Sequence, residues 1–190
     1  MPAPETPVPA NGMAALAFVF GAVGFVTGAM AAHLPRILEA SGASSVQAVA
    51  AGALIGPAQV GARIVEASLL SRYHPLLSTR IACVMHPIGA VILAILGGAG
   101  SSVFAIFHGA GNGVLTIARG TLPLAIFGPQ NYAYRLGLIG APARLAQAAA
   151  PLLFGLLIEV MGSRILIVSS ALSLAALVAL LLVPARRPRT

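Results

Sequence analysis

The run GNGVLTIARGTLPLAIFGP, residues 111–129, sets one guanidinium, Arg119, inside an otherwise apolar stretch. In water such an arginine is ordinary. In hydrocarbon it costs from about 2.5 to above 10 kcal/mol and marks a function or a partner. Two more arginines are embedded in the same way, Arg63 in LIGPAQVGARIVEAS and Arg144 in LIGAPARLAQ. Glu66, three residues after Arg63 and on the same helical face, is the carboxylate that can answer them. One glutamate cannot neutralise three arginines, so a guanidinium fork is left for a carboxylate or phosphate. Uncharged polar groups accompany the charges: Gln59 a turn before Arg63, Asn112 and Thr116 on the Arg119 side of its helix, and Gln147 after Arg144. Together they describe a substrate-binding or gating site for an anion. A proton path would draw on Glu66, His108 and His33. His86, which precedes Pro87, reads as a structural residue that bonds a carbonyl.

The composition says which solvent surrounds these groups. Of 190 residues, 58% are hydrophobic and 8% charged, with a mean hydropathy of +0.97. Soluble domains carry about 25% charged residues, so a water-soluble fold has too little polar surface to cover itself. An all-α membrane protein is predicted, with the lipid bilayer as its first partner. Every basic residue is arginine, every acidic one is glutamate, and Asp, Lys and Trp are absent. The net charge of +7 is spread among apolar segments, which fits membrane orientation rather than nucleic-acid binding. A single cysteine, Cys83, allows no internal disulfide and no cysteine metal cage. No cofactor or metal is expected.

Six apolar runs are long enough to cross about 30 Å of hydrocarbon: 12–34, 46–71, 76–97, 103–127, 135–158 and 164–184. The first run could also continue through Pro35 to Leu38. Between them lie turn and charge signals such as SRYHP, GGAGSS and GPQNYAYR. In this scheme one side holds Arg72, Arg80, Arg135, Arg186, Arg187 and Arg189, and the other only Arg36 and Arg164. By the arginine bias of short loops both termini face the cytoplasm. Arg63, Arg119 and Arg144 then fall at one level, roughly 14 Å in from that face at 1.5 Å per residue. Glycines four apart (Gly24–Gly28, Gly52–Gly56, Gly109–Gly113) predict close helix packing. LIGPAQ (54–59) and LIGAPA (138–143) hold the same place in two successive groups of three spans, the form of a three-helix repeat. Residues 1–11, MPAPETPVPAN, lack the basic start of a signal peptide and read as a disordered proline-rich tail or linker remnant; 186–190 read as a basic cytoplasmic tail.

The segments AAHLPRILEASG, ALIGPAQVGARIVEASLLSRYHPL and GAGNGVLTIARGTLPLAIFGP resemble the C-terminal six-helix half of bacterial major facilitator superfamily transporters, from about residue 12 onward. The family's Gly-x-Leu-Ala-Asp-Arg signature is matched by ASLLSR, with Ala67 at the glycine, Leu69 kept, Ser71 at the aspartate and Arg72 kept. The resemblance implies that spans one, two, four and five border a cavity, while three and six, and so His86, face lipid. It implies a half-size secondary transporter in the bacterial inner membrane, and the embedded arginines make the small solute it would move an anion. A homodimer or a separate chain equivalent to the N-terminal half would complete the cavity. The alternative is a non-transporting membrane assembly partner or a truncated transporter fragment. Enzyme chemistry is not expected: aspartate-dependent intramembrane enzymes lack their residue here, and neither an HExxH zinc site nor a GxSxG elbow occurs.

Overall fold

Proline, glycine and capping side chains divide the apolar sequence into helices, and no strand occurs among the described residues. The computed structural model describes residues 10–183. Helix α1 spans Ala10–Ala40, α2 Ser45–Ala53, α3 Ile55–Ser68, α4 Pro75–Leu96, α5 Ser101–Phe127, α6 Tyr132–Met161 and α7 Ile165–Leu182. Four stretches are long and apolar enough to cross a membrane by length and composition: Asn11–Ala40, Ser45–Arg72, Pro75–Phe127 and Tyr132–Leu182. Large apolar side chains cover the outside as well as the core, among them Val160, Leu182 and Ile95 at 87%, 80% and 74% exposure. The tail expected over 1–11 falls mainly outside the described residues, but Ala10 and Asn11 already belong to α1. The basic segment 186–190 lies outside the described residues.

Two boundaries need an account beyond apolar run length, one from packing and one from a local break in the helix ladder. α1 takes the longer of the two courses left open for it, running on through Pro35 and two residues past Leu38 to Ala40. An interior proline costs about 3 kcal/mol. Beyond Pro35, Ile37 and Leu38 are fully buried, and truncating one such residue typically costs about 2–5 kcal/mol. Packing of the last turn therefore prevails. The second span is not one helix: it breaks at Leu54 into α2 and α3. Pro57 has no N–H to offer the Ala53 carbonyl, so the ladder cannot run through that point. α2 starts with a capping box. The Gln47 N–H donates to Ser44 Oγ at 3.3 Å, and the Ser44 N–H donates to Gln47 Oε1 at 2.8 Å.

The remaining ends fall within about three residues of expectation. α4 begins at Pro75 after His74, whose Nδ1 accepts the Leu76 N–H at 3.2 Å. α4 and α6 stop at Gly97 (φ 57°) and Gly162 (φ 56°), in a region that side chains with a Cβ rarely adopt. Each glycine opens a single 3₁₀ turn, Gly97–Gly100 and Gly162–Arg164, that starts the next helix.

Packing follows the small residues. α1 lies against α6 and α7, α5 against α3 and α4, and α4 against α7. A Cβ at Gly24 would meet the Ala143 carbonyl at 2.9 Å and one at Gly28 the Gln147 carbonyl at 2.6 Å, so α1 and α6 touch backbone to backbone. Gly109 and Gly113 bring α5 equally close to the Ile55 and Gln59 carbonyls of α3. The Gly52–Gly56 pair does not behave this way: nothing lies within 4 Å of a Cβ at Gly56, and only Leu34 at 3.9 Å approaches one at Gly52. Two apolar clusters result. One is built on Val26–Leu38, Leu93, Phe104 and Phe154, the other on Leu16–Val23, Leu76, Leu122 and Leu180.

Candidate functional site

The glycine contacts set the register of the arginines. α3 and α5 run parallel, with Ile55 beside Gly109 and Gln59 beside Gly113. Continuing that register puts Arg63 level with residue 117, about 3 Å from Arg119 along the axis. Two adjacent helices thus carry guanidinium groups at one level. α1 and α6 are parallel too, with Gly24 beside Ala143 and Gly28 beside Gln147. Thr27 Oγ1 of α1 donates to Asn112 Oδ1 of α5 at 3.2 Å and ties the two registers together. By that link Arg144 lies more than a turn from Arg119, on the Asn112 side. Three arginines at a single level were expected; the registers give two, with the third displaced.

Arg63 and Arg119 are partly buried and Arg144 is exposed. The Nε atoms of Arg63 and Arg119 are buried without a hydrogen-bond partner. Neither guanidinium is hydrogen-bonded or ion-paired to another described residue. Glu66 is 7% exposed, yet it forms no ion pair with Arg63. The single ion pair among the described residues is Arg36–Glu159, at 4.0 Å and exposed at both ends, a class worth about 0–1 kcal/mol. Gln59 is partly buried, and Gln147 is exposed, packing its stem near Gly28. Thr116 Oγ1 donates to its own helix at the Asn112 carbonyl, 2.8 Å away.

The three groups named for a proton path do not meet. His33 Nε2 donates to the Pro151 carbonyl at 2.8 Å, and its ring stacks on Phe154 with centroids 6.3 Å apart. It is a clasp between α1 and α6. Glu66 lies on α3, and no hydrogen bond or ion pair among the described residues joins it to either histidine. His108 instead pairs with His86, their Nδ1 atoms 3.1 Å apart.

That pair is what sequence reasoning missed. His86 was expected to face lipid, but it is 5% exposed and points between α5 and α7. Its Nε2 lies 2.9 Å from Ser169 Oγ; Ser169 Oγ donates to the Leu166 carbonyl at 3.1 Å, and Ser173 Oγ to the Ser169 carbonyl at 3.0 Å. Phe104 stacks on His108 and meets His86 edge-on. A small cavity, about 20 Å³ measured to water centres, is lined by Thr27, Cys83, His86, His108, Asn112 and Ser173 among others. The polar layer lies between the two apolar clusters, near the middle of four helices. The sequence signal was available: His108 and Asn112 are four apart on α5, and Ser169 and Ser173 four apart on α7.

Arg80, in the second turn of α4, and Arg135, in the first turn of α6, have structural duties. Arg80 Nη2 donates to the Leu180 carbonyl at 2.8 Å, and Arg135 Nη1 to the Phe127 carbonyl at 2.7 Å. Each satisfies carbonyls at a helix C-terminus, where positive charge is also favoured. Ser71, which stands at the aspartate of the resembled signature, lies in the 3₁₀ turn Leu70–Arg72 and donates to the Ala67 carbonyl at the end of α3.

No family model matches this chain, and no curated protein matches it.

Proposed function

We propose that the chain crosses a bacterial inner membrane six times, with both termini cytoplasmic, and acts as half of a secondary transporter for a small anionic solute. Pro75–Phe127 and Tyr132–Leu182 are 53 and 51 residues long. As straight helices they would each exceed about 75 Å, more than twice the hydrocarbon thickness. A turn at Gly97 or Gly162 lets each stretch cross twice. Two three-helix repeats in the manner of a major facilitator half-transporter are supported by the packing: a glycine pair on α1 meets α6, and a glycine pair on α5 meets α3. A second copy, or a separate six-span chain, completes the cavity.

The observation that carries the reading is the pair Arg63 and Arg119, level on neighbouring helices, partly buried and unpaired by any described carboxylate. A bare guanidinium in hydrocarbon is costly, and an incoming carboxylate or phosphate supplies both the missing charge and the bidentate geometry. Arg119→Lys keeps the charge but loses the fork; Arg119→Gln loses both. With purified protein in detergent and succinate or inorganic phosphate as calorimetric probes, affinity should fall roughly tenfold for Lys and a hundredfold for Gln. Equal affinity in all three proteins, or anion binding by none, sinks the reading.

A further inference from the structure

We propose that His86 and His108 form a site that binds one proton in the middle of the bundle, loaded at His108 Nε2 from the small cavity between α1, α4, α5 and α7. The hydrogen bonds dictate this. Ser169 Oγ has a single proton and gives it to the Leu166 carbonyl, so it faces His86 with a lone pair. His86 therefore carries its proton on Nε2 and leaves Nδ1 bare. The bond across 3.1 Å then requires the proton on His108 Nδ1. His108 Nε2 remains, a bare acceptor with no described partner, on a residue that lines the cavity.

A proton added to that nitrogen breaks nothing. It makes His108 an imidazolium that still donates from Nδ1 to His86. Passing the Nδ1 proton across the bond moves the charge to His86, which then holds protons on both nitrogens, while His108 is neutral with its proton on Nε2. A second proton has no such place, because it would set N–H against N–H at 3.1 Å. The pair holds one charge or none.

The cavity suits delivery of that proton. Its volume admits about one water. The Asn112 amide faces it, and Pro87 withholds the N–H that the Cys83 carbonyl would otherwise accept. Among the described residues lining the cavity, the other titratable group is Cys83 on α4; α1 and α7 present only Thr27 and Ser173 as polar groups, and α5 adds Asn112. No arginine or carboxylate lies in the lining. The pair also joins α4, α5 and α7, so its charge state acts on three helices at once. The inference deepens the transport reading by naming the coupling ion as a proton. It rests on that reading only for the proton's use.

The test is nitrogen-15 magnetic resonance on the histidines of the full chain in lipid bilayers, from pH 4 to pH 9. The expected result is a direct Nδ1–Nδ1 correlation between His86 and His108 and a joint transition worth one proton per chain. His86→Gln and His108→Gln should each abolish the correlation, whereas His33→Gln removes its own signals and leaves the joint transition in place. Two independent transitions, two protons, or no transition in the wild type overturns the site. A shared proton in a chain that binds no anion keeps the site and overturns the transport reading; anion transport with singly titrating histidines does the reverse.

Discussion

At the scale of residues, each polar side chain is best understood by asking what satisfies it. Arg80 and Arg135 were counted in the sequence as loop charges that orient the chain, yet each reaches a carbonyl at the end of another helix. A charged hydrogen bond to a backbone carbonyl is worth about 1.5–3 kcal/mol. Arg80→Ala should therefore lower the thermal unfolding midpoint in detergent by several degrees, and Arg80→Lys, which can still reach one carbonyl, should recover part of the loss. An exposed control, Arg72→Ala, should leave it unchanged within a degree. If the Arg72 and Arg80 variants behave alike, the cap contributes nothing. Arg63 and Arg119 differ in kind. No nitrogen of either guanidinium is bonded to another described residue, whereas Arg80 and Arg135 each place a terminal nitrogen on a helix-end carbonyl even though Arg80 Nε is itself unpartnered; the proposed ligand is therefore placed at Arg63 and Arg119.

At the scale of elements, the glycine pairs separate positions that look the same in sequence. Gly28 and Gly113 lie against backbone carbonyls, so any side chain there forces helices apart. Gly56 and Gly61 have nothing within 4 Å of an added Cβ. Gly28→Leu and Gly113→Leu should each cost several kcal/mol, as overpacking and lost helix contact combine. Gly56→Leu and Gly61→Leu should be near neutral, or slightly stabilising through helix propensity. Detergent-resistance assays on the four variants check this, and tolerance of leucine at position 113 would contradict the α3–α5 contact. The two glycine pairs also mirror one another, α1 on α6 and α5 on α3, which is the packing expected if each group of three helices repeats the other.

At the scale of the molecule, the outward surface is largely apolar; apart from polar groups near the end of α1 and on α2, most of its polar side chains away from the helix ends lie on α3, α5 and α6 rather than on α4 and α7. Gln59, Arg63, Thr116, Arg119, Arg144 and Gln147 all belong to the first group. A second copy that completes a cavity should dock against that face. Single cysteines at the exposed positions Val60 and Leu145, introduced into a Cys83→Ala background, should cross-link between chains in membranes. Cysteines at Ile95 and Leu181, equally apolar and exposed on α4 and α7, should do so several-fold less. Equal trapping at all four positions would replace the homodimer with nonspecific contact or a different partner chain.

Composition and periodicity alone determined the solvent-facing character of the chain, its helical class and most helix ends, because these depend on local properties: apolar run length, prolines, and glycines such as Gly97 and Gly162 where the backbone turns. The candidate arginines were legible for the same reason, as isolated charges in apolar runs. Tertiary structure decided which polar groups meet. The sequence left the end of the first helix open between residue 34 and Leu38, and burial of Ile37 and Leu38 against other helices decided it. Glu66 stands three residues from Arg63 yet does not pair with it, whereas His86, 22 residues from His108 and 83 from Ser169, joins both. Spacing along one helix fixes a shared face, but partners across helices are fixed by which faces the small residues allow to close.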